Sequence, residues 1–422
     1  MRGFISGSIR RMRRVALIVA LNLVAAVIYA VVAAQTQFFG HLHETLFSSP
    51  DSLTYHDVAN WLLGAAPNPI ESTHRPFLYP LLLGISERIG GAPGIWILNL
   101  ACWLGMLNLT AAATWRMTGR PALGAIVFLV LATNVSVIVL SFQALTESLT
   151  VLLESIWILG LALSALPPTR PRDLAMLLLP ISLLTVVKPG YEIELIVALI
   201  LLAITIWRMP RGRALATLVV GVCVIPVLFQ VGLMATANHF VGVSKSGEAE
   251  LKLYYASQVY ASLNGLPDDL VAARVIVGPM SDVQVVEYLL NHPRTAVGTL
   301  VGNLHRNLTS GSNFVDPAKM PSLADVVRNT NRNYQKLHVV FLPIVALALW
   351  RRRDLRLAFL YLFGLMVTLL PSLIVDQGDR YVQMALPLWA AAYALAVSDL
   401  MPDVSRIAAR IGGQVRMISR PA

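Results

Sequence analysis

The chain has 422 residues, of which 56% are hydrophobic and 13% are charged, and its mean hydropathy is +0.66. This composition lies outside the range of soluble globular proteins and is typical of membrane proteins. A net charge of +10 would favour a nucleic-acid partner in a soluble protein, but here the basic residues lie between apolar runs. We therefore expect a lipid bilayer, and no nucleic acid, as the partner.

The first apolar run follows a basic N-terminal segment and extends over residues 15–34. Its length matches the roughly 20 residues that a helix needs to cross a hydrocarbon core of about 30 Å. A signal peptide would also begin with basic residues and end with small ones, but this run is long for one. We therefore predict a retained transmembrane helix.

Nine further apolar runs follow the first one. They lie near residues 95–115, 121–140, 146–166, 174–187, 192–207, 214–236, 339–350, 355–375 and 381–399. With the N-terminus inside, every segment that falls on the inner face is short and rich in Arg, as the positive-inside rule requires. These patterns predict an all-α polytopic protein of the cell inner membrane, with about ten transmembrane helices and both termini cytoplasmic.

Two long polar segments, residues 35–93 and 237–338, fall on the outer face in this topology. The first contains an apolar stretch over residues 77–89, which is too short to cross the membrane and is predicted as a juxtamembrane helix. The chain thus divides into a transmembrane module with the first outer loop (residues 1–236), an outer-face region, and C-terminal helices with a basic tail (residues 339–422).

The first outer loop contains a pair of aspartates, Asp51 and Asp57. Pro50 suits the first turn of a helix, which would place Asp51 near a helix N-terminus, where a carboxylate is favoured. Six residues of spacing would put the two aspartates on different helical faces. Helix capping and ordinary solvation would explain a random pair of aspartates, but this pair shares its loop with several aromatic and basic residues. These residues are Tyr55, His56, Trp61, His74 and Arg75.

Two glutamates lie in the predicted helix over residues 146–166. Glu147 stands where an outer turn re-enters the membrane, and Glu154 lies two turns further along the same face. An ionisable group inside a span is costly and usually faces the bundle interior or a wet cavity. A structural hydrogen bond to a neighbouring helix explains Glu154 equally well.

Two basic residues lie at predicted outer helix ends. The run over residues 174–187 gives a helix of roughly 21 Å, too short to cross, so Lys188 should lie below the outer interface in a helix break. Lys188 could extend outward to the interface or bind a lipid phosphate. Arg380 begins the last helix. Its guanidinium group could bind a phosphate through two hydrogen bonds, or it could form an ion pair with Asp376 or Asp379 at the surface.

These residues resemble motifs of the GT-C superfamily of integral-membrane glycosyltransferases, which use polyprenyl-phosphate sugars. The similarity is to the branch that includes protein mannosyltransferases and aminoarabinose transferases. The first-loop pattern is matched by Asp51, Ser52, Tyr55, Ala59, Leu62, Leu63 and Gly64. Later elements are matched by RPFLYP (residues 75–80), Glu147, LLTVVKP (residues 183–189), Arg380, Tyr381 and Pro387. Lys188 stands where Arg is frequent, and the segment over residues 237–338 matches no motif. In this superfamily the corresponding loop tends to shape the acceptor site, so the resemblance implies that residues 237–338 form the acceptor side.

The resemblance implies a GT-C fold and an inverting single displacement on the periplasmic or extracellular face. A hexosyl or pentosyl group would move from a polyprenyl-phosphate donor to a hydroxyl of a glycan, lipid or protein acceptor. Asp51 would act as the general base, while Arg75, Lys188 and Arg380 would stabilise the departing phosphate. Glu147 would hold the acceptor, the sugar or a divalent metal. The other substrate-binding or supporting residues would be Tyr55, His56, Asp57, His74, Glu154 and Tyr381.

The alternative function is a transporter or flippase of a lipid-linked sugar. Transporters generally place their polar sites near the bilayer midplane and often contain internal repeats. Here the carboxylates gather at the outer ends of helices and no repeat is found, although Glu154 favours the transporter. A catalytically silent assembly subunit is a third interpretation, which an intact Asp51 disfavours.

Overall fold

The computed structural model describes residues 2–208, 212–266, 270–309, 321–375 and 380–418. These residues form helices joined by turns, with no strand among them, which confirms the predicted all-α class. The helices of the first half are α1 (Arg2–Gln35), α2 (Leu42–Leu46), α3 (Pro50–Leu62), α4 (Leu78–Thr118), α5 (Pro121–Ala132), α6 (Val135–Leu140), α7 (Glu147–Leu163), α8 (Pro171–Thr185), α9 (Glu192–Arg208), α10 (Arg213–Cys223) and α11 (Ile225–Asn238).

The second half begins with helices that lie outside the long apolar runs. Its helices are α12 (Ser246–Ala249), α13 (Ser257–Leu263), α14 (Leu270–Val277), α15 (Asp282–Asn291), α16 (Pro293–Thr309), α17 (Pro321–Arg352), α18 (Leu355–Ile374), α19 (Arg380–Met384) and α20 (Leu386–Ile418). A π-helix over Glu250–Ala256 joins α12 to α13, and 3-10 turns lie at Phe38–His41, Ile70–Thr73 and Pro189–Tyr191.

Four helices within the described ranges are long and apolar enough to cross a membrane. They are Val15–Gln35 within α1, α4, Pro189–Trp207 and α18. α10 and α11 form a fifth if the pair, which bends by 45°, is counted as one span. The bend falls where Pro226 opens α11 and cannot continue the hydrogen-bond ladder of α10. By length and composition, the described residues thus provide four or five candidate spans, fewer than the ten predicted.

A break in one apolar run accounts for part of this difference. The run over residues 121–140 is divided into α5 and α6 at Asn134, whose side chain accepts the Val137 N–H at 3.0 Å and caps α6. The predicted juxtamembrane helix becomes the first arm of α4, which kinks at Gly91 (φ 61°, ψ −150°) before the second arm. Such a backbone conformation is readily adopted only by glycine.

The largest apolar core lies among α4, α7, α8, α18 and α20. Trp157 of α7 stacks on Phe363 of α18, with ring centroids 4.5 Å apart. Gly160 brings α7 so close to α8 that a Cβ at this position would lie 2.4 Å from the Met176 carbonyl oxygen. Small residues at such contacts let helix backbones approach closely in membrane proteins. The same packing fixes the position of α7, which begins at Glu147.

Candidate functional site

Asp51 lies in the first turn of α3. Pro50 occupies the start of the helix, as predicted, and Ser49 precedes it in an extended conformation. Ser52 and Tyr55 face the protein interior and are buried, whereas Asp57 is exposed to solvent. α3 therefore separates the two aspartates, and only Asp51 meets the other predicted site residues.

Arg75 holds one oxygen of Asp51. Its Nη2 donates to Asp51 Oδ1 at 2.5 Å, and its Nε donates to Thr54 Oγ1 at 3.0 Å. Its Nη1 donates to the Tyr55 hydroxyl at 3.3 Å, while the guanidinium carbon lies 4.6 Å from the centroid of the Tyr55 ring. Three residues on two successive turns of α3 thus fix the guanidinium group, an arrangement that a lysine side chain could not reproduce.

Arg380 holds the other oxygen of Asp51 and joins it to α7. Its Nη1 donates to Asp51 Oδ2 at 2.7 Å, and its Nε donates to Glu147 Oε1 at 2.5 Å. Lys188 Nζ reaches the same Glu147 oxygen at 3.0 Å and lies 3.1 Å from Met384 Sδ. The order Arg75, Asp51, Arg380, Glu147 and Lys188 alternates in sign, and we call these five residues the charge cluster.

Backbone contacts of three segments bring the charge cluster together. Lys188 is extended (φ −141°, ψ 111°) between α8 and the turn at Pro189–Tyr191, which confirms the predicted helix break. The Leu78 N–H donates to the Val186 carbonyl at 3.4 Å, and this contact places the Arg75 segment beside that break. Asn99 of α4 donates to the Gln143 carbonyl at 2.7 Å and so supports the turn that precedes Glu147.

The charge cluster contains three cations and two carboxylates and is largely removed from solvent. Only 2% of the Glu147 side chain and 7% of the Arg380 side chain are exposed, against 28% for Asp51. Burial by itself would raise the pKa of Asp51, but the Arg75 and Arg380 guanidinium groups outweigh it and hold the pKa below its ordinary value. Asp51 is therefore an anion at neutral pH, and the cluster presents more cationic than anionic groups.

Glu154 lies outside the charge cluster. Its side chain is fully buried and accepts a hydrogen bond from the Tyr191 hydroxyl, in the turn before α9. This contact fits the structural interpretation of Glu154. His56 is also separate, because its Nε2 pairs with Glu87 Oε2 at 3.0 Å on the first arm of α4.

His74 precedes Arg75 and contributes mainly through its backbone. Its carbonyl accepts hydrogen bonds from the side chains of Ser244 and Ser246, at 3.2 and 2.8 Å. Its ring Nδ1 is buried and has no hydrogen-bond partner among the described residues. Asp376 and Asp379, the alternative partners of Arg380, lie outside the described residues, as does the side chain of Tyr381.

Three residues near the charge cluster were not predicted from the sequence. Thr54 and Met384 each lie within one helical turn of a predicted residue, so helical spacing alone would have indicated them. Glu250, in the outer-face region, had no such signal. Burial raises the pKa of Glu250, and the positive charges of Lys188, Arg75 and Arg380 oppose this rise.

No group of three or more His, Cys, Asp or Glu side chains within the described ranges is arranged to hold a metal ion. Glu147 Oε1 is instead occupied by two cations, and its Oε2 is buried without a hydrogen-bond partner. A divalent metal at this site stays a prediction.

An apolar groove with a cavity volume of about 80 Å³ lies between α7, α8, α9 and α18. Its lining includes Trp157, Leu161, Ile181, Glu194, Ala198 and Phe363. Trp157 is ten residues beyond Glu147 on α7, which corresponds to about 15 Å along the helix axis. The groove therefore lies further along the same helices whose ends carry Glu147 and Lys188.

The comparisons with known proteins identify no relative. Neither protein-family models nor curated proteins nor solved structures match this chain. The function is therefore inferred from the chemistry of the charge cluster and of the groove further along α7 and α8.

Proposed function

We propose that the protein is a membrane glycosyltransferase that moves a sugar from a polyprenyl-phosphate donor to an acceptor hydroxyl. The charge cluster is the observation that carries this proposal. Three cations from distant parts of the chain converge on two carboxylates. Two of these five residues, Glu147 and Lys188, lie at the ends of helices that also line an apolar groove. A lipid-linked phosphate needs both features, namely cations for its head group and an apolar path for its chain.

The cations would stabilise the negative charge that develops on the departing phosphate. Arg75 and Arg380 offer planar groups that can bind phosphate oxygens in pairs, while Lys188 offers a compact charge. Asp51 and Glu147 hold the cations in place before the donor arrives, so little reorganisation is needed during the reaction. Electrostatic preorganisation of this kind is usually the largest contribution to catalysis.

The groove would hold a part of the polyprenyl chain that begins about 15 Å from Glu147 along α7. Its lining is almost wholly apolar, and it lies further along α7, α8 and α9 from the residues that would grip the phosphate. Because the chain is already in apolar surroundings in a bilayer, van der Waals packing against the groove would contribute its binding free energy. The cluster would then select the phosphate and the groove would select the lipid.

The proposal includes the finer topology implied by the resemblance, which is a GT-C fold with about ten crossings and cytoplasmic termini. α5 with α6, α7, α8, α17 and α20 would supply the crossings beyond the four or five long apolar helices. The Arg-rich short loops then lie inside, and the charge cluster faces the periplasm or the cell exterior. The resemblance further gives Asp51 the role of general base.

Binding of undecaprenyl phosphate to the purified protein tests the proposal directly, with undecaprenol as the matched probe that lacks the phosphate. We expect the phosphate to bind at least about tenfold more tightly, which corresponds to about 1.4 kcal/mol. Release of undecaprenyl phosphate from donors carrying hexoses or pentoses, in the presence of a cell-envelope extract that supplies acceptor hydroxyls, then measures transfer before the acceptor is identified. Equal binding of the two lipids, together with no release from any donor, would contradict the proposal.

A transporter of a lipid-linked sugar is the second candidate, and Glu194 is the observation that favours it. This acidic side chain is 2% exposed, lines the apolar groove, and has a buried Oε2 without a hydrogen-bond partner. Ionisable groups at such depth often mark a transport path. Movement of an intact lipid-linked sugar across proteoliposomes, without release of the lipid phosphate, would favour this candidate over the transferase.

A further inference from the structure

The last turn of α18 is held by two side chains of α16, Asn303 and Asn307, which lie one helical turn apart and are fully buried. Asn303 Nδ2 donates to two backbone carbonyls at 3.1 Å each, and Asn307 Nδ2 donates to two more at 3.0 and 2.7 Å. The four acceptors are the carbonyls of Ser372, Leu373, Ile374 and Val375. Because carbonyls at the end of a helix generally have no partner within the helix, the two asparagines provide partners that α18 itself lacks.

A small apolar core surrounds this contact. Tyr255 and Ala296 belong to one buried cluster, and Ile374 at the end of α18 packs against it. The Tyr255 hydroxyl also donates to the Ala296 carbonyl at 2.9 Å. Asn303 Nδ2 lies 2.8 Å from Gln258 Oε1 of α13 as well, so its hydrogen bonds join three helices. The end of α18 is therefore built into the outer-face region and is not merely adjacent to it.

α16 also packs on α19, the helix that begins at Arg380, so it contacts both the end of α18 and the start of α19. The Arg380 guanidinium group is buried and donates to Asp51 Oδ2 at 2.7 Å and to Glu147 Oε1 at 2.5 Å. Two hydrogen bonds in different directions from one rigid group require that the backbone of Arg380 is accurately placed. The contacts of α16 are suited to set this placement.

The outer-face region is attached to the segments of the other two cations as well. The Ser246 hydroxyl donates to the His74 carbonyl at 2.8 Å, directly before Arg75. α12 packs on the turn at Pro189–Tyr191, which follows Lys188. One region of the protein therefore contacts the chain beside each of the three cations, and α16 is the helix through which it contacts α19.

We infer that Asn307, together with Asn303, is a positioning residue for Arg380, an inference that rests on the proposed transferase function. By fixing the end of α18 to α16, the two asparagines hold α16 where it supports the start of α19. The Arg380 guanidinium group then meets both carboxylates before the donor arrives and is already aligned for the phosphate. The asparagines act on the phosphate through Arg380 and not by contact.

A purely structural role of the asparagines makes a different prediction. If they only stabilised the fold, their loss would weaken binding to the same extent whether or not Arg380 is present. If they act through Arg380, their loss should matter only while Arg380 is there to be positioned. A double-mutant cycle separates these two cases, because it measures whether two substitutions affect binding independently.

The test measures the affinity for undecaprenyl phosphate and for undecaprenol in the wild type, Asn307→Ala, Arg380→Met and the double variant. His305→Ala, at an exposed position on the same helix, is the matched control. We expect Asn307→Ala to weaken undecaprenyl phosphate binding by about fivefold or more when Arg380 is present, and by less than about twofold in Arg380→Met. Undecaprenol binding should change by less than about twofold in every variant. Asn303→Ala should behave in the same way and completes the cycle if Asn307→Ala does not fold.

Three outcomes would overturn the positioning role alone. The first is an equal loss of undecaprenyl phosphate affinity on Asn307→Ala with and without Arg380, since independent effects add. The second is a parallel loss of undecaprenol binding, which would show a general loss of structure. The third is undiminished affinity in folded Asn307→Ala and Asn303→Ala. Failure of the wild type to prefer undecaprenyl phosphate over undecaprenol would instead contradict the proposed function itself.

Discussion

Arg380 Nε donates to Glu147 Oε1 at 2.5 Å and so joins two residues that are 233 positions apart in the chain. The second arm of the same guanidinium group reaches Asp51 Oδ2 at 2.7 Å. One side chain therefore connects the first outer loop, the start of α7 and the start of α19. Because Glu147 is almost wholly buried, these ion pairs affect both the stability of the fold and the proposed binding of phosphate.

Replacing Arg380 with Lys should separate the two carboxylates. A lysine has one compact ammonium group and cannot donate to Asp51 and Glu147 from a rigid fork. Leaving a buried carboxylate incompletely paired costs about 3–5 kcal/mol at the upper limit, and Lys188 still neutralises part of Glu147. We expect thermal unfolding in detergent at a clearly lower temperature. The double variant Arg380→Met with Glu147→Gln should recover part of the lost thermal stability. If the unfolding temperature does not recover, the pairing of Arg380 with Glu147 is not the cause of the loss.

Replacing Asp51 with Asn should abolish most of the transfer while the protein still inserts. The neutral amide cannot hold the guanidinium groups of Arg75 and Arg380 as the carboxylate does, so the phosphate site loses its alignment. We expect the rate of undecaprenyl phosphate release to fall by about 100-fold or more. Asp57→Asn, on the exposed side of the same helix, is the control and should retain wild-type turnover. Near-wild-type release by Asp51→Asn would contradict a role for this carboxylate.

The lowered pKa of Asp51 predicts how stability depends on pH. A carboxyl group whose pKa is lower in the folded state than in the unfolded state stabilises the protein above the unfolded value. This contribution should be complete above about pH 4 to 5 and should disappear as the pH falls further. Thermal unfolding of the wild type and Asp51→Asn should thus differ by a constant amount from neutral pH down to about pH 5 and converge below it. If the difference in unfolding temperature between the two proteins already becomes smaller between pH 7 and pH 6, the pKa of Asp51 is not lowered.

Replacing Lys188 with Ala should weaken the binding of the lipid phosphate. Removal of one cation from the phosphate site is expected to reduce affinity by about tenfold or more, since hydrogen bonds to charged groups contribute about 1.5–3 kcal/mol. Lys188→Arg should retain most of the affinity because the charge is kept. Lys336→Ala, at an exposed position, serves as the control. If undecaprenyl phosphate binds Lys188→Ala as tightly as the wild type, Lys188 only pairs with Glu147 and does not bind the phosphate.

Filling the groove should discriminate between donors by the length of their lipid. Ala198 lines the groove, so Ala198→Phe would occupy part of its volume without touching the charge cluster. We expect KM for a donor with a full-length polyprenyl chain to rise by about tenfold, whereas a short-chain donor should be affected by less than about twofold. Ala203→Phe, on the exposed side of α9, is the control. An equal effect on both donors would indicate that the chain lies elsewhere.

The sequence by itself determined the class of the protein and most of its charged site. Hydropathy and the distribution of Arg identify an all-α membrane protein, because the bilayer requires apolar helices and favours basic loops on one side. Asp51, Glu147, Lys188 and Arg380 stand out because charged residues are rare next to long apolar runs and are costly there. Their presence at helix ends is visible without any structure.

Only the tertiary structure decided which of these residues meet. His56, Asp57 and Glu154 carry equally suitable side chains, but they face Glu87, solvent and Tyr191 instead of the charge cluster. The start of α12 lies beside the Arg75 segment because the Lys245 N–H donates to the Thr73 carbonyl and the Ser246 hydroxyl donates to the His74 carbonyl. Contacts between segments more than a hundred residues apart depend on how the helices pack, so they cannot be predicted from local patterns in the sequence.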